Sequence, residues 1–142
     1  MKIIVDYDTT PRDQRKICET LSKECQIPTE GISGLSSDDD HYKEDRRAQI
    51  AEILTLEDIV VTDDLELAQD LIENALAVVS PEGIVITQAN INNLLYERYL
   101  REKNPPKALS REAAARRHHD EIDRFTTILL DLIAPLDTTY YE

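Results

Sequence analysis

Ile59-Val60-Val61-Thr62 is an apolar, β-branched run that stops abruptly at two acids, Asp63-Asp64. A run of this kind fits a strand buried on both faces, the habit of a parallel sheet. Helical spacing begins at once, with Leu67, Ala68, Leu71, Ile72 and Ala75 on one face of a helix predicted over residues 64–77. The opening of the chain repeats the form. Lys2-Ile3-Ile4-Val5 closes on Asp6, and beyond Thr9-Thr10 a proline at position 11 suits the first turn of a helix. That helix is predicted to run from Pro11 to Cys25 and to be stopped by Gln26-Ile27-Pro28.

Outward from these two units the pattern continues. Val78-Val79 and Ile84-Val85-Ile86 read as short strands around the turn Ser80-Pro81-Glu82-Gly83. Residues 29–45, with Gly31, Gly34 and Asp38-Asp39-Asp40, read mainly as loop, with one short strand near Ile32 to Leu35. A helix of about ten residues follows from Arg46 to Leu56, its apolar positions Ile50, Ile53, Leu54 and Leu56. Another spans Asn90 to Lys103, burying Ile91, Leu94 and Leu95 with Tyr99 at the margin, and Asn104-Pro105-Pro106 breaks it. Ser110 caps a last helix to Ile133, whose stripe His118, Ile122, Phe125, Leu129 and Leu132 packs it on the body. Strands alternating with helices describe a three-layer α/β fold with a mostly parallel central sheet, in a single domain over residues 1–142.

The length of 142 residues suits one hydrophobic core. No apolar run approaches the roughly 18 to 20 residues that span a bilayer, and Asp6 comes too early for a signal peptide, so no membrane association and a cytoplasmic location are expected. The formal charge of −13 repels phosphate backbones at long range. It is unevenly spread: residues 98–124 hold eight Lys/Arg against five Asp/Glu, a local +3 that leaves −16 elsewhere. Cys18 and Cys25, about 10 Å apart along one helix face, are too distant for a disulfide and read as small buried hydrophobes.

Ligands of such sheets sit beyond the strand C-termini, which directs attention to Asp6, Asp8, Asp63 and Asp64. If the two strands are parallel neighbours, these acids converge, and converging carboxylates either raise a pKa or recruit a cation such as Mg²⁺ or Mn²⁺. A metal there would activate water against a phosphodiester. The alternative is helix capping: Asp63 with Glu66 has the spacing of a capping pair, and Asp8, Thr9 or Thr10 suits the start of the first helix.

The stretch Val5-Asp6-Tyr7-Asp8-Thr9-Thr10-Pro11 resembles the V-D-A-D-A-C-P opening of the bacterial YaiI/YqxD family of PIN-like proteins. Asp58-Ile59-Val60-Val61-Thr62-Asp63-Asp64-Leu65-Glu66-Leu67-Ala68 is similar to that family's second signature, D-L-V-I-T-A-D-I-P-L-A, and Ser80-Pro81-Glu82-Gly83 to its N-P-R-G turn. The resemblance implies a PIN-like fold in which, as in active relatives, strand-end carboxylates hold Mg²⁺ or Mn²⁺ for RNA hydrolysis. Asp6, Asp8 and Asp64 then carry over as catalytic ligands; Asp63 stands where the family has a small residue and is read, apart from the resemblance, as a supporting or replacement metal ligand. Departures bear on that implication. Tyr7 and Thr10 replace alanine and cysteine, Glu82 reverses a charge, and Arg47 and Gln49 stand where the family places helical acids; Glu44, Asp45 or Glu52 substitutes if the helix is shifted.

Other candidates are weaker. His118 and His119 point about 100° apart on a helix and do not share an ion; His119 with Asp123 lacks a third ligand, and His118 reads as a packed, hydrogen-bonded histidine. Asp38-Asp39-Asp40-His41 reads as solvated loop. Lys107, Arg111, Arg116 and Arg117 form the basic concentration that would meet single-stranded RNA, or else a solvated helix face. Two functions follow: a divalent-metal-dependent, ribonuclease-like protein, or a catalytically inactive PIN-like binding or assembly module.

Overall fold

Isoleucine and valine runs too short to alternate with polar residues can only be satisfied where both faces are covered, and the computed structural model, which describes residues 1–34 and 42–134, covers them. Strand β1 (Ile3–Asp6) leads into helix α1 (Arg12–Cys25), β2 (Thr29–Ile32), α2 (Tyr42–Ile53), β3 (Ile59–Val61) and α3 (Leu65–Leu71), which ends in a 3-10 turn at Ile72–Asn74. Then come β4 (Ala77–Val79), β5 (Val85–Ile86), α4 (Ile91–Lys103) and α5 (Arg111–Ile133). The sheet order is β2-β1-β3-β4-β5. The first four strands are parallel, and only β5, joined to β4 by the tight turn, runs against them.

The strand period of two sorts the core into two layers. Ile3, Val5, Ile59, Val61 and Val79 face α1 and α5, meeting Cys18, Leu21, Phe125 and Leu129. Ile4, Val60, Val78 and Ile86 face the opposite way, toward Ile50, Leu67, Leu71 and Ile91 of α2, α3 and α4. The three-layer α/β architecture expected from the sequence is therefore the one found. Cys18 is buried in the first layer, where desolvation pushes its thiol up to about 12, and both cysteines are free.

Several boundaries differ from the sequence reading. The strand expected near Ile32 to Leu35 is β2 at Thr29–Ile32, pairing in parallel with β1; Leu35 and the run Asp38–His41 lie outside the described residues. Helix α2 begins at residue 42 rather than 46, with Glu44 and Asp45 in its first turn complementing the helix dipole. It stops at Ile53, and Leu56 is 67% exposed. The helix expected over 64–77 ends at Leu71 because the chain must turn back into β4, where the amide of Leu76 donates to the carbonyl of Asp58. His118 is not in the apolar stripe: it is about half exposed, and its Nε2 meets Asp13 Oδ2 of α1 at 2.8 Å. Tyr99 is also exposed. Among the described residues, no helix is long and apolar enough to cross a membrane.

Candidate functional site

Strands β1 and β3 are parallel neighbours in register, Val5 opposite Val61, so the residues that follow them leave the sheet at the same end. Asp6 is fully buried there. Its Oδ2 accepts the hydroxyls of Thr9 at 2.8 Å and Thr62 at 2.7 Å, and its Oδ1 accepts the amide of Asp8 at 3.2 Å. Thr9 also accepts the amide of Asp63, and Thr62 that of Asp64, so the two threonines tie the β1 and β3 ends together. Asp8 accepts the Ser33 hydroxyl at 2.7 Å on Oδ1 and the Gly34 amide at 3.0 Å on Oδ2.

Asp64 caps α3: its Oδ1 accepts from the amides of Glu66 at 3.1 Å and Leu67 at 3.2 Å. The capping expected of Asp63 thus belongs to its neighbour. Asp63 turns aside to Arg98 of α4, whose guanidinium donates to its backbone carbonyl at 2.7 Å and to Oδ1 at 3.0 Å. Partial burial pushes the Asp63 carboxyl up, and Arg98 works against that shift.

The structure thus leaves Asp63 at the margin of the same cleft, its carboxylate on Arg98, and brings Asp6, Asp8 and Asp64 together. At their common point lies Arg46 of α2, its side chain 2% exposed. Its Nη1 reaches Asp6 Oδ1 at 3.4 Å and Asp8 Oδ2 at 3.5 Å, and its Nη2 donates to Asp64 Oδ2. A planar guanidinium with five donors in a fixed fork is suited to bridging several carboxylates at once. One of its donors, Nε, is buried without an acceptor.

The oxygens of Asp6, Asp8 and Asp64 are already engaged by hydroxyls, amides and Arg46, and among the described residues no group of three or more His, Cys, Asp or Glu is arranged to hold a metal. The helical positions singled out as replacements lie elsewhere. Glu44, Asp45 and Glu52 are exposed, as is Gln49, and Arg47 pairs with Asp70 at 3.1 Å.

In the sequence Arg46 marks only the start of a predicted helix, and nothing there points to a role among the carboxylates. The available signal was its place four residues before the buried Ile50, on the inward face of α2. Above the cluster opens a cleft of about 550 Å³, walled by Arg46 and Lys43 from α2, Asp64 and Glu66 from the start of α3, and Arg98 and Tyr99 from α4. Lys107, Arg111, Arg116 and Arg117 are all exposed and do not line this cleft, and Arg117 pairs with Glu121 at 3.2 Å. His119 pairs only with Asp123, at 3.3 Å on the exposed face of α5.

The family described as "Uncharacterized BCR, YaiI/YqxD family" is matched over residues 4–135. The chain is also similar to a UPF0178 protein of Treponema denticola, 26% identical over 145 residues, an alignment covering 94% of this chain and 92% of that protein. No solved structure matches it.

Proposed function

The chain belongs to the YaiI/YqxD family, and on that footing we propose that it is a PIN-like binding module that does not hydrolyse its ligand, Arg46 standing where a catalytic metal would be required. The observation that carries this reading is the single buried guanidinium shared by Asp6, Asp8 and Asp64. Metal-assisted hydrolysis needs open coordination positions for water and for the phosphodiester. Carboxylates that cap a helix, accept two hydroxyls and bridge an arginine offer none while those contacts persist.

The ligand class assigned to the cleft is single-stranded RNA. Tyr99 at the rim offers a ring on which a base can stack, and Lys107, Arg111, Arg116 and Arg117 supply the exposed cations. The local surplus of positive charge in this stretch opposes the −13 of the whole protein. Fluorescence anisotropy with a labelled single-stranded RNA in EDTA is expected to show binding that weakens with salt. The same RNA incubated with Mn²⁺ should stay intact.

A second reading, the metal-dependent ribonuclease with Mg²⁺ or Mn²⁺ on Asp6, Asp8 and Asp64 as catalytic ligands, is favoured by one observation. Three carboxylates against one guanidinium leave the cluster formally two charges negative. Calorimetric titration separates the two. Stoichiometric Mn²⁺ binding to the wild type, abolished in Asp6→Asn and accompanied by RNA cleavage lost in Asp64→Asn, would replace the first reading by the second.

A further inference from the structure

A separate, open hollow of about 280 Å³ lies along α1, lined by Tyr7, Arg12, Arg15, Lys16 and Glu19. Three of these five residues are cations, in a protein whose formal charge is −13. Arg12, Arg15 and Lys16 sit three and four residues apart and therefore share one helix face. Five cations elsewhere in the chain, Lys2, Arg46, Arg47, Arg98 and Arg117, are neutralised by carboxylates. Among the described residues, none of the three cations in the hollow has a carboxylate partner within salt-bridge distance, Glu19 included.

Arg15 is also held in place. Its guanidinium carbon lies 5.2 Å from the centroid of the Tyr7 ring, and its Nε is buried without an acceptor. Tyr7 is seated in turn by a missing side chain: a Cβ at Gly31 would come within 2.0 Å of its ring. The first turn of α1 adds to the field, because its N-cap residue is Pro11 and makes no side-chain capping bond. The positive end of the helix is therefore without a side-chain cap beside Arg12, and the acid of that turn, Asp13, is engaged by His118.

Unpaired cations, a pre-positioned guanidinium and the positive end of a helix converge on an oxyanion. We propose that this hollow is a phosphate-binding site, taking inorganic phosphate or the phosphate of a monoester. Arg15 and Lys16 would supply the main contacts, and Tyr7 would fix the Arg15 fork. The site is independent of the Arg46 cluster and of the fate of any ligand in the cleft.

The test is a titration of ¹⁵N-labelled protein with inorganic phosphate at constant ionic strength, with sodium chloride as the control. Saturable amide shifts confined to Arg12–Glu19 and Tyr7 are expected, at low millimolar phosphate. Arg15→Ala and Lys16→Ala, the latter at an exposed position, should each weaken the affinity by about fivefold, and Lys23→Ala, in the last turn of α1, should leave it unchanged. Adenosine monophosphate and adenosine then identify the source. Equal affinity for the monophosphate and free phosphate indicates recognition of the phosphate alone, whereas tighter binding of the monophosphate indicates a nucleotide; adenosine should not bind. Shifts that chloride reproduces, that centre on Lys107–Arg117, or that persist unchanged in both variants would overturn the assignment.

Discussion

Arg46 makes the sharpest residue-scale prediction. Removing one partner of a buried ion cluster strands the others, so Arg46→Ala should lower the unfolding free energy by about 3 to 5 kcal/mol, read by urea denaturation. Millimolar Mn²⁺ should return part of that loss in the variant and do nothing for the wild type, because only the variant leaves the three clustered carboxylates without a cation. Arg46→Lys should rescue little, since an ammonium is a point charge without the fork that reaches three carboxylates. Asp58 supplies a second test. Burial alone would raise its carboxyl, but the Lys2 ammonium at 2.7 Å, helped by hydrogen bonds from Thr55 and the Lys2 amide, holds it below the usual range. A depressed folded-state value means that its stabilisation is complete above the unfolded value of about 4 and disappears as pH falls through the folded one. Asp58→Asn should therefore lose stability at pH 7 and show a flatter acid limb than the wild type in thermal melts between neutral and acidic pH.

At the scale of elements, the β4–β5 turn is the most tightly specified connection. Gly83 has φ +87°, and a Cβ there would meet the Arg124 Cβ and the Phe125 amide of α5 at 2.7 Å. Gly83→Ala combines left-handed backbone strain with a clash against a helix that cannot retreat, and should cost about 2 to 3 kcal/mol in chemical denaturation. Elements differed in how plainly the chain announced them. β1 and β3 were legible because unbroken Ile/Val runs end in acids. β2 was not, since Thr29-Glu30-Gly31-Ile32 is a half-exposed edge strand with only one large apolar residue. The helix after Asp64 was overextended because Ile72 and Ala75 keep helical spacing although the chain is already winding into a 3-10 turn. Tertiary demand, bringing Leu76 to the carbonyl of Asp58, decided its end.

For the whole molecule, the unequal support of α5 is the leading prediction. The helix is about 34 Å long at 1.5 Å per residue. Its second half seats Phe125 and Leu129 in the core, whereas residues 114–120 are all exposed, as is the whole stretch from 101 to 112. Native-state hydrogen exchange should find amides of residues 101–118 opening far more readily than those of β1, β3 and β4, which sit between two packed layers. The same global view shows why the site was only half readable. That Asp6 and Asp64 would share one end of the sheet follows from parallel pairing of two strands, which local pattern announces. What lies between them is set by α2, where the one signal is the place of Arg46 a turn before the buried Ile50, and that spacing says nothing of which charges it meets. The guanidinium between those carboxylates is joined to the backbone by covalent bonds, so every copy synthesised carries its own counter-charge. No chelating agent can strip it, no dialysis can deplete it, and no competing ion of different size or softness can be exchanged for it without a change in the gene.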